Sequence, residues 1–401
     1  MISPRERSVL TVACYGHFIS HFNMLVFPAV LLPLSAQFGM DMVQTLALSF
    51  WMYLLFGITA LPWGLLADKI GSRPLFVVFH TGAGVCGFMA AINVSDPFLF
   101  SLSLTGIGLF SGIYHPVGLG WIAKEVKKTS RGMAINGMFG NLGLAAAPLL
   151  AGSLNYFYGI QAVYIVLGLV NCSGLVFLYL ARNGHTESIA AITKHKSKGS
   201  LVPFLVLLMA MMLGGIIYRA ISLTLPAYFE LQNQNLYDSF VAITGKFGSP
   251  NVFATVITST IYLVGMLGQY FGGWVGERAD LGRGYLVFHL ITIPAAIGMA
   301  LTTDIPLIVL VMIHAFFLLG MQPLENTLVA RLSPPKLHST AYGLKFILTF
   351  GVGALSVGMV GGIKESFGFS AVYLTLAGVS CVLVGVIVLL NYYRKIQHCL
   401  A

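Results

Sequence analysis

Seven ionisable side chains in the long apolar stretches of this sequence are candidates for a functional site. They are His17, His21, His115, Arg219, His314, Glu325 and Lys345. A charged residue at the centre of a membrane helix costs about 2.5–3.5 kcal/mol on insertion scales, so such residues usually face a protein interior and serve a function. Because these groups bind ions and move protons, they predict a polar site inside a membrane protein.

Helical spacing groups these residues with neutral polar neighbours. His17 and His21 are four residues apart, so they share one face of a helix. Lys345 shares a face with Tyr342 and Thr349 by the same rule. Asn136 is a neutral companion on a separate segment. One further stripe on a single helix contains His314, Gln322, Glu325 and Asn326.

The charges of these residues do not balance. Two permanent cations, Arg219 and Lys345, accompany a single acid, Glu325. This excess predicts an anionic cargo that carries a carboxylate, phosphate or phosphonate group. The predicted substrate-binding residues are His17, His21, His115, Asn136, Arg219, Gln322, Asn326 and Lys345. Two structural alternatives stay open: a histidine can be hydrogen-bonded to a neighbouring carbonyl group, and Lys345 can extend its amine toward water.

Glu325 and His21 are the predicted proton-coupling residues. A guanidinium is always charged, so we expect Arg219 to bind cargo or to pair with Glu325. A carboxylate that exchanges this partner on protonation couples a proton gradient to cargo movement, and an imidazole changes charge near neutral pH. The sequence has no phosphate-binding Gly-x-x-x-x-Gly-Lys-Ser/Thr loop and no nucleophile–base arrangement. We therefore expect no enzymatic activity, no cofactor and an ion gradient as energy source.

Apolar helices must hold these residues in place. Of 401 residues, 57% are hydrophobic and 9% are charged, whereas soluble proteins have about 25% charged residues. Apolar runs of about 20 residues, which span a bilayer, occur twelve times and predict an all-α membrane protein. The predicted spans are residues 8–34, 45–66, 75–94, 98–123, 132–157, 160–181, 201–230, 252–276, 284–302, 305–331, 340–363 and 370–393.

The net charge of +9 follows the membrane topology. With a cytoplasmic N-terminus, eighteen of the 22 Lys and Arg residues fall in inside segments, and only Lys246 and Lys364 fall outside. This distribution is the positive-inside rule and places both termini in the cytoplasm. It also argues against nucleic acid as a partner. We expect a monomer in the inner membrane of a prokaryote, with the lipid bilayer and a small-molecule substrate as its partners.

The two halves of the sequence repeat. The pattern Gly-x-x-Ala-Val-Tyr at 159–164 returns at 368–373, an offset of 209 residues, and Cys172 returns as Cys381. Such an ordered series predicts a structural repeat. The predicted domains are an N-terminal six-helix bundle (1–182), a polar cytoplasmic linker (183–200) and a C-terminal six-helix bundle (201–401).

The loop between the second and third spans carries Gly64, Asp68, Gly71 and Arg73. The glycines permit a tight turn and close helix approach. The acid can accept hydrogen bonds from helix amides and pair with a cation across the bundle interface. This loop resembles the cytoplasmic signature of the major facilitator superfamily. The resemblance implies two six-helix repeats around a central cavity, which is lined mainly by spans 1, 4, 7 and 10.

A weaker copy of the signature stands at 273–283 and includes Glu277 and Arg278. In the family, residues of these loops latch the inward-closed state and do not touch cargo. The resemblance therefore implies a gating role for Gly64, Asp68, Gly71, Arg73, Glu277 and Arg278.

Three short patches are similar to the fosmidomycin-resistance branch of this superfamily. They lie at 21–23, 112–132 and 218–228, although Val117 stands where that branch commonly has an acid. The segment Gly140–Gly152, which contains Pro148, resembles a motif of antiporters and equally fits ordinary close packing of small residues. These resemblances favour export by proton antiport over uptake by proton symport.

Two other functions stay open. The membrane histidines can bind a transition metal, which would make the cargo a metal or a metal chelate, although no resident metal is expected. The protein can also be a sensor or an assembly component that does not transport. Finally, the long outside loop at 231–251 is either a lid or a tether.

Overall fold

A computed structural model of the chain describes residues 3–181, 201–245, 248–333 and 338–400. Within these ranges the chain is helical and forms no strand. The helices are α1 (Pro4–Ala29), α2 (Leu31–Phe38), α3 (Met42–Ala47), α4 (Phe50–Ile58), α5 (Ala60–Ile70), α6 (Ser72–Ile92), α7 (Pro97–Ser111), α8 (Tyr114–Glu125), α9 (Thr129–Leu180), α10 (Leu201–Gln232), α11 (Gln234–Thr244), α12 (Pro250–Arg278), α13 (Leu281–Leu301), α14 (Asp304–Gly320), α15 (Gln322–Leu332), α16 (His338–Phe346) and α17 (Ser356–Leu400).

The helices account for the predicted spans. Nine helices in the described ranges are long and apolar enough to cross a membrane, or ten if the bent pair between residues 31 and 58 forms one span. Two of these, α9 and α17, each contain a residue with non-helical dihedral angles and are therefore two spans each. The prediction of an all-α protein with twelve membrane helices is confirmed.

The sequence repeat is visible in the backbone of α9 and α17. Gly159 has φ 79° and ψ 173°, and Gly368, 209 residues later, has φ 82° and ψ 177°. This conformation is essentially restricted to glycine. Because each glycine lies between two predicted spans, the same sharp turn separates spans 5 and 6 in one half and spans 11 and 12 in the other.

Spans 4 and 10 are both interrupted near their middle. Span 4 consists of α7 and α8, with a break at residues 112–113, and span 10 consists of α14 and α15, with a break at Met321. Pro116 and Pro323 follow these breaks. Proline has no amide hydrogen to donate and favours the first turn of a helix, so each break begins just before its proline. His115 and Glu325 lie in the first turns after the breaks.

Span 11 is not a regular α-helix. A π-helical segment (Ile347–Gly351) and a 3₁₀ turn (Val352–Leu355) follow α16. Gly215 of α10 lies so close to this segment that a Cβ atom there would overlap the backbone of Thr349. π-Helical turns are rare and frequently occur at functional sites. The sequence predicted a regular helix here, because its apolar pattern carries no sign of the irregularity.

The chain divides into two compact units, residues 1–193 and 194–401, called the N-terminal and C-terminal units below. The core of the N-terminal unit includes Phe76, Phe79 and Trp121. The predicted linker at 183–200 lies outside the described residues, so the proposed domain boundaries stay a prediction.

Large apolar side chains cover the outer surfaces of the helices. Ile92, Phe98 and Tyr158, for example, are each 75% exposed. Soluble monomers rarely expose large contiguous apolar patches, so these surfaces fit a lipid environment.

The long loop at 231–251 contains a short helix. α11 begins beside Asp304, whose carboxylate accepts a hydrogen bond from the Leu236 amide at 3.0 Å and another from Asn235 Nδ2 at 3.4 Å. These bonds hold α11 against the start of α14.

Candidate functional site

Three histidines meet in the N-terminal unit, and we call them the histidine cluster. His17 and His21 lie one turn apart on α1, and His115 lies on α8. Their potential ligand nitrogens all lie within 4.8 Å of one another, and the ring centroids are 4.7–5.4 Å apart. Three of the predicted site residues are thus adjacent, although the sequence places His115 almost 100 residues from the other two.

Asn136 organises the inner side of the histidine cluster. Its backbone oxygen lies 2.8 Å from His17 Nδ1. Its side chain exchanges hydrogen bonds with the Tyr114 hydroxyl at 2.7 and 3.0 Å, and the Tyr114 ring stacks on His17 at 4.8 Å. Asn136 is fully buried and holds Tyr114 and His17 in position. Tyr114 was not predicted as a partner of Asn136, because this contact forms only when α8 and α9 pack together.

A buried ion pair lies in the C-terminal unit. Lys345 Nζ of α16 is 2.8 Å from Glu325 Oε1 of α15, and the two side chains are 9% and 5% exposed. Lys345 therefore does not extend toward water. It is a cation that pairs with Glu325, a role for which the sequence had offered Arg219 as an alternative to cargo binding.

The ion pair is embedded in further hydrogen bonds. The Tyr285 hydroxyl donates to Glu325 Oε2 at 2.9 Å. Lys345 Nζ also donates to the side-chain oxygen of Asn326, whose backbone oxygen accepts from the Tyr342 hydroxyl at 3.2 Å. The predicted face of Tyr342 and Lys345 therefore does contact the stripe of Glu325 and Asn326. Tyr285 was not anticipated, because it belongs to a different helix, α13.

Arg219 is buried in the same unit, with 2% of its surface exposed. Its guanidinium lies 5.9 Å from the ring centroid of Phe350, a distance at which a cation is attracted to the face of the ring. Gly353 of the 3₁₀ turn is also adjacent to its side chain. Arg219 thus packs against the irregular segment of span 11.

Gln322 and His314, two further predicted residues of the C-terminal unit, have other neighbours. Gln322 Oε1 accepts a hydrogen bond from Gln269 Nε2 at 2.6 Å. His314 is buried and lines a small cavity together with Tyr218, Ser222 and Tyr262.

The predicted gating loop has the geometry that its glycines suggest. Gly71 lies between α5 and α6 with φ 86° and ψ 166°, which only glycine readily adopts. A Cβ atom on Gly64 would lie 3.2 Å from Pro116 Cβ, so glycine allows α5 to approach α8 closely.

Asp68 and Arg73 have partners within the N-terminal unit. Lys124 Nζ lies 3.0 Å from Asp68 Oδ1. The sequence predicted a cation from across the bundle interface, but Lys124 belongs to the same unit as Asp68. Arg73 donates to the backbone oxygens of Leu178 and Ala181. These carbonyl groups end α9, where a cation is favoured by the helix dipole.

Two acids of the second copy of the signature, Glu277 and Asp280, each form an ion pair. Glu277 and Arg278 are adjacent and exposed, with a nitrogen–oxygen distance of 3.7 Å. The better-structured pair is Asp280 with Arg394, at 3.1 Å. Asp280 also caps α13 by accepting from the Arg283 amide at 2.9 Å. Arg394 lies near the end of α17, and its separation of 114 residues from Asp280 explains why the sequence did not reveal the pair.

Comparison with known proteins decides the family. The family model described as Major Facilitator Superfamily matches residues 13–250 and, in a second match, 233–397. The chain belongs to the major facilitator superfamily. It is accordingly a transporter and a multi-pass integral membrane protein, not an enzyme. Among curated proteins no sequence match is found.

Several solved transporters of this superfamily share the fold. A bacterial homologue of the human lysosomal transporter Spinster, inward-facing and unoccupied, aligns with a TM-score of 0.67 at 15% identity over 97% of this chain and 96% of that one. A POT family transporter in complex with a thioalcohol-conjugated peptide gives 0.76 at 15% identity, with 96% of each chain covered. The human organic anion transporter MFSD10 (TETRAN) gives 0.69 at 16% identity, with 96% and 100% covered. At these identities the similarity shows the fold alone.

Proposed function

We propose that this transporter moves a small anionic solute together with protons, and that Glu325 and Lys345 couple the two. The observation that carries the proposal is their buried ion pair, in which Lys345 Nζ and Glu325 Oε1 are 2.8 Å apart.

Burying two charged side chains costs free energy, so we infer that this ion pair serves a function. Removing two charges from water costs several kcal/mol per ion, and a buried pair is often no more stable than apolar residues of the same size. Ionisable residues within membrane helices therefore usually mark ion or substrate pathways. The hydrogen bonds from Tyr285 and to Asn326 keep the pair in one geometry.

Protonation offers a way to open the pair. A proton on Glu325 removes the negative charge and leaves Lys345 as a buried cation that needs another partner. An anionic cargo can supply that charge, and Arg219 provides a second cation in the same unit. We propose Lys345 and Arg219 as the principal anion-binding residues.

This scheme has a consequence for the direction of coupling. Proton and anion favour each other's binding, and thermodynamic linkage makes this preference reciprocal. Two ligands that bind together travel in the same direction, so the pair favours symport. The resemblance of residues 140–152 to an antiporter motif had favoured export. Close helix packing also accounts for a glycine in this segment, because a Cβ atom on Gly143 would overlap the carbonyl oxygen of Phe18. We therefore place symport ahead of antiport.

The charge pattern of the loops supports a membrane orientation. We propose that both termini and the linker at 183–200 are cytoplasmic and that the transporter resides as a monomer in a prokaryotic inner membrane. Two further assignments stay predictions. One is His21 as a second proton-coupling residue, and the other is a cargo-binding role for His17, His115, Gln322 and Asn326.

A ligand screen is the first experiment. Purified transporter is heated with a panel of small carboxylates, phosphates and phosphonates, and ligands that raise the midpoint of thermal unfolding are selected. The stabilisation by a true cargo should disappear in Arg219→Ala and Lys345→Ala. Glu365→Gln, which changes an exposed acid outside both signature loops, is the matched control and should retain it.

Transport of the selected anion in proteoliposomes then tests the coupling. Glu325→Gln should still exchange labelled anion across the membrane at equal pH, because the site can be occupied without a titrating carboxyl group. It should not accumulate the anion in response to an imposed pH gradient. If Glu325→Gln accumulates the anion as the wild type does, the proposed coupling is wrong.

A further inference from the structure

We infer that His17, His21 and His115 bind a divalent transition-metal ion of the Zn²⁺ or Co²⁺ class. The sequence raised metal transport only as an alternative and predicted no resident metal. The geometry that changes this expectation is the convergence of one ligand nitrogen from each of three imidazoles, all within 4.8 Å of one another.

The tautomer of His17 is fixed in the form that a metal requires. Its Nδ1 lies 2.8 Å from the backbone oxygen of Asn136. A carbonyl oxygen only accepts hydrogen bonds, so Nδ1 carries a proton, and in the neutral ring Nε2 then keeps its lone pair. Metal-bound histidines characteristically donate their other N–H to a carbonyl or carboxylate group in this way. The stacking of Tyr114 on the His17 ring further restricts its orientation.

The distances allow coordination after small side-chain movements. At zinc–nitrogen distances of about 2.0–2.1 Å, tetrahedral geometry places ligand nitrogens about 3.4 Å apart. His21 is only half-buried, so its ring can rotate toward the other two. His17 and His115 are held on two neighbouring helices, α1 and α8, whose backbones need not move.

The donor set selects the class of ion. Neutral imidazoles suit Zn²⁺, Co²⁺, Ni²⁺ and Cu²⁺, whereas Mg²⁺ and Ca²⁺ prefer oxygen ligands. The acids nearest in sequence are Glu6, eleven residues before His17, and Glu125, ten residues after His115. At 1.5 Å per helical residue they lie about 15 Å away, so neither can coordinate at the cluster.

Three protein ligands leave one tetrahedral position open. Because the three imidazoles are neutral, the ion keeps its full charge, and a small anion or hydroxide is the natural fourth ligand. This inference concerns the N-terminal unit alone and does not depend on the proposed coupling by Glu325 and Lys345.

Titration with Co²⁺ tests the site directly, because tetrahedral Co²⁺ has a strong visible absorption band. The experiment uses the full chain in detergent, with any histidine tag removed and metals stripped by a chelator. We expect one Co²⁺ per protein with the tetrahedral spectrum, and displacement of Co²⁺ by one equivalent of Zn²⁺. His21→Ala and His115→Ala should each weaken binding by about 100-fold or more and abolish the tetrahedral spectrum.

His314→Ala is the matched control, because His314 is a buried membrane histidine of the C-terminal unit. It should bind Co²⁺ as the wild type does. Should His115→Ala fail to fold, His21→Gln changes only the half-buried member and decides the question on its own. Absence of stoichiometric binding to the wild type, or unchanged binding in a folded His21 variant, would overturn the inference and leave the cluster as ring packing.

Discussion

Lys345 Nζ lies 2.8 Å from Glu325 Oε1 across α15 and α16, and both side chains are almost completely buried. Removing one partner leaves an uncompensated charge, which costs about 3–5 kcal/mol in buried pairs. Glu325→Leu and Lys345→Met should each lower the free energy of unfolding by that order. The double variant should recover most of the loss, because apolar residues of similar size replace both charges. The measurement is a double-mutant cycle on reversible unfolding in mixed micelles.

The exposed pair of Glu277 and Arg278 provides the control for this cycle. Its nitrogen–oxygen distance is 3.7 Å and its side chains are 79% and 55% exposed. Surface pairs contribute about 0–1 kcal/mol, so Glu277→Ala should change stability little. If Glu277→Ala and Glu325→Leu lower the free energy of unfolding equally, burial does not explain the contribution of the pair of Glu325 and Lys345 to stability.

Asp280 predicts a pH dependence of stability. Burial raises the pKa of this carboxyl, but hydrogen bonds from the Arg283 amide and from Arg394 outweigh it and hold the pKa below its usual value of 3.8. Because the folded-state pKa is depressed, the stabilisation is complete above the unfolded-state pKa of about 3.9. It is lost as the pH falls through the lower folded-state value.

Asp280→Asn isolates the charge, since asparagine caps a helix about as well as aspartate does. The variant should lose about 0.2–1 kcal/mol at neutral pH, the range of an exposed ion pair. The difference from wild type should shrink as the pH is lowered below about 4. Thermal unfolding between neutral and acidic pH checks this, and a difference that grows on acidification would contradict it. Asp280→Ala should lose about 1 kcal/mol more, because the cap is removed as well.

Apolar pattern and glycine position were sufficient to predict the helices and the repeat. The matching sequences around Gly159 and Gly368 predicted the repeat, and the structure adds that both glycines form the same turn with positive φ and extended ψ. The π-helical segment at Ile347–Gly351 was not predictable in this way. The segment packs closely against Gly215 of α10, and the apolar residues that form it resemble those of any membrane helix.

The partners of charged residues were harder to predict than the residues themselves. Spacing along one helix identifies residues that share a face, as it did for His17 and His21. It does not show which residue of another helix lies opposite that face. The sequence therefore offered Arg219 as a partner of Glu325, and the contact between Lys345 and Glu325 is visible only in the folded unit. The pairing of Asp280 with Arg394 depends on the ends of α13 and α17 meeting, which only the folded unit shows.

Close contact between α1 and α9 predicts a steric effect at Gly143. A Cβ atom at this position would overlap the carbonyl oxygen of Phe18, whereas a Cβ atom on Gly120 of α8 would meet nothing within 4 Å. Gly143→Ala should destabilise the transporter by about 1–3 kcal/mol, the usual cost of overpacking. Gly120→Ala should be neutral or stabilising by about 0.5–1 kcal/mol, because alanine favours a helix. The same unfolding assay compares the two, and similar effects of both substitutions would refute the packing argument.

Breaking the ion pair of Asp68 and Lys124 should change the conformational balance of the transporter but hardly its stability. Their side chains are 63% and 48% exposed, so the pair contributes about 0–1 kcal/mol to folding, and Asp68→Asn should unfold at nearly the wild-type temperature. If the loop gates transport as the signature implies, losing the pair should shift the balance of conformations. Hydrogen–deuterium exchange across residues 64–73 should then become faster in Asp68→Asn.

Charge reversal tests whether the faster exchange results from loss of the ion pair or from the substitution at Asp68 itself. Asp68→Lys with Lys124→Asp restores opposite charges at the same positions and should return exchange toward the wild-type rate, whereas Asp68→Lys alone should not. Glu365→Gln, which changes an exposed acid of the other unit outside both signature loops, should leave exchange at 64–73 unchanged. If Asp68→Asn exchanges at the wild-type rate, the ion pair of Asp68 and Lys124 is an ordinary surface contact and does not control the conformation of the loop.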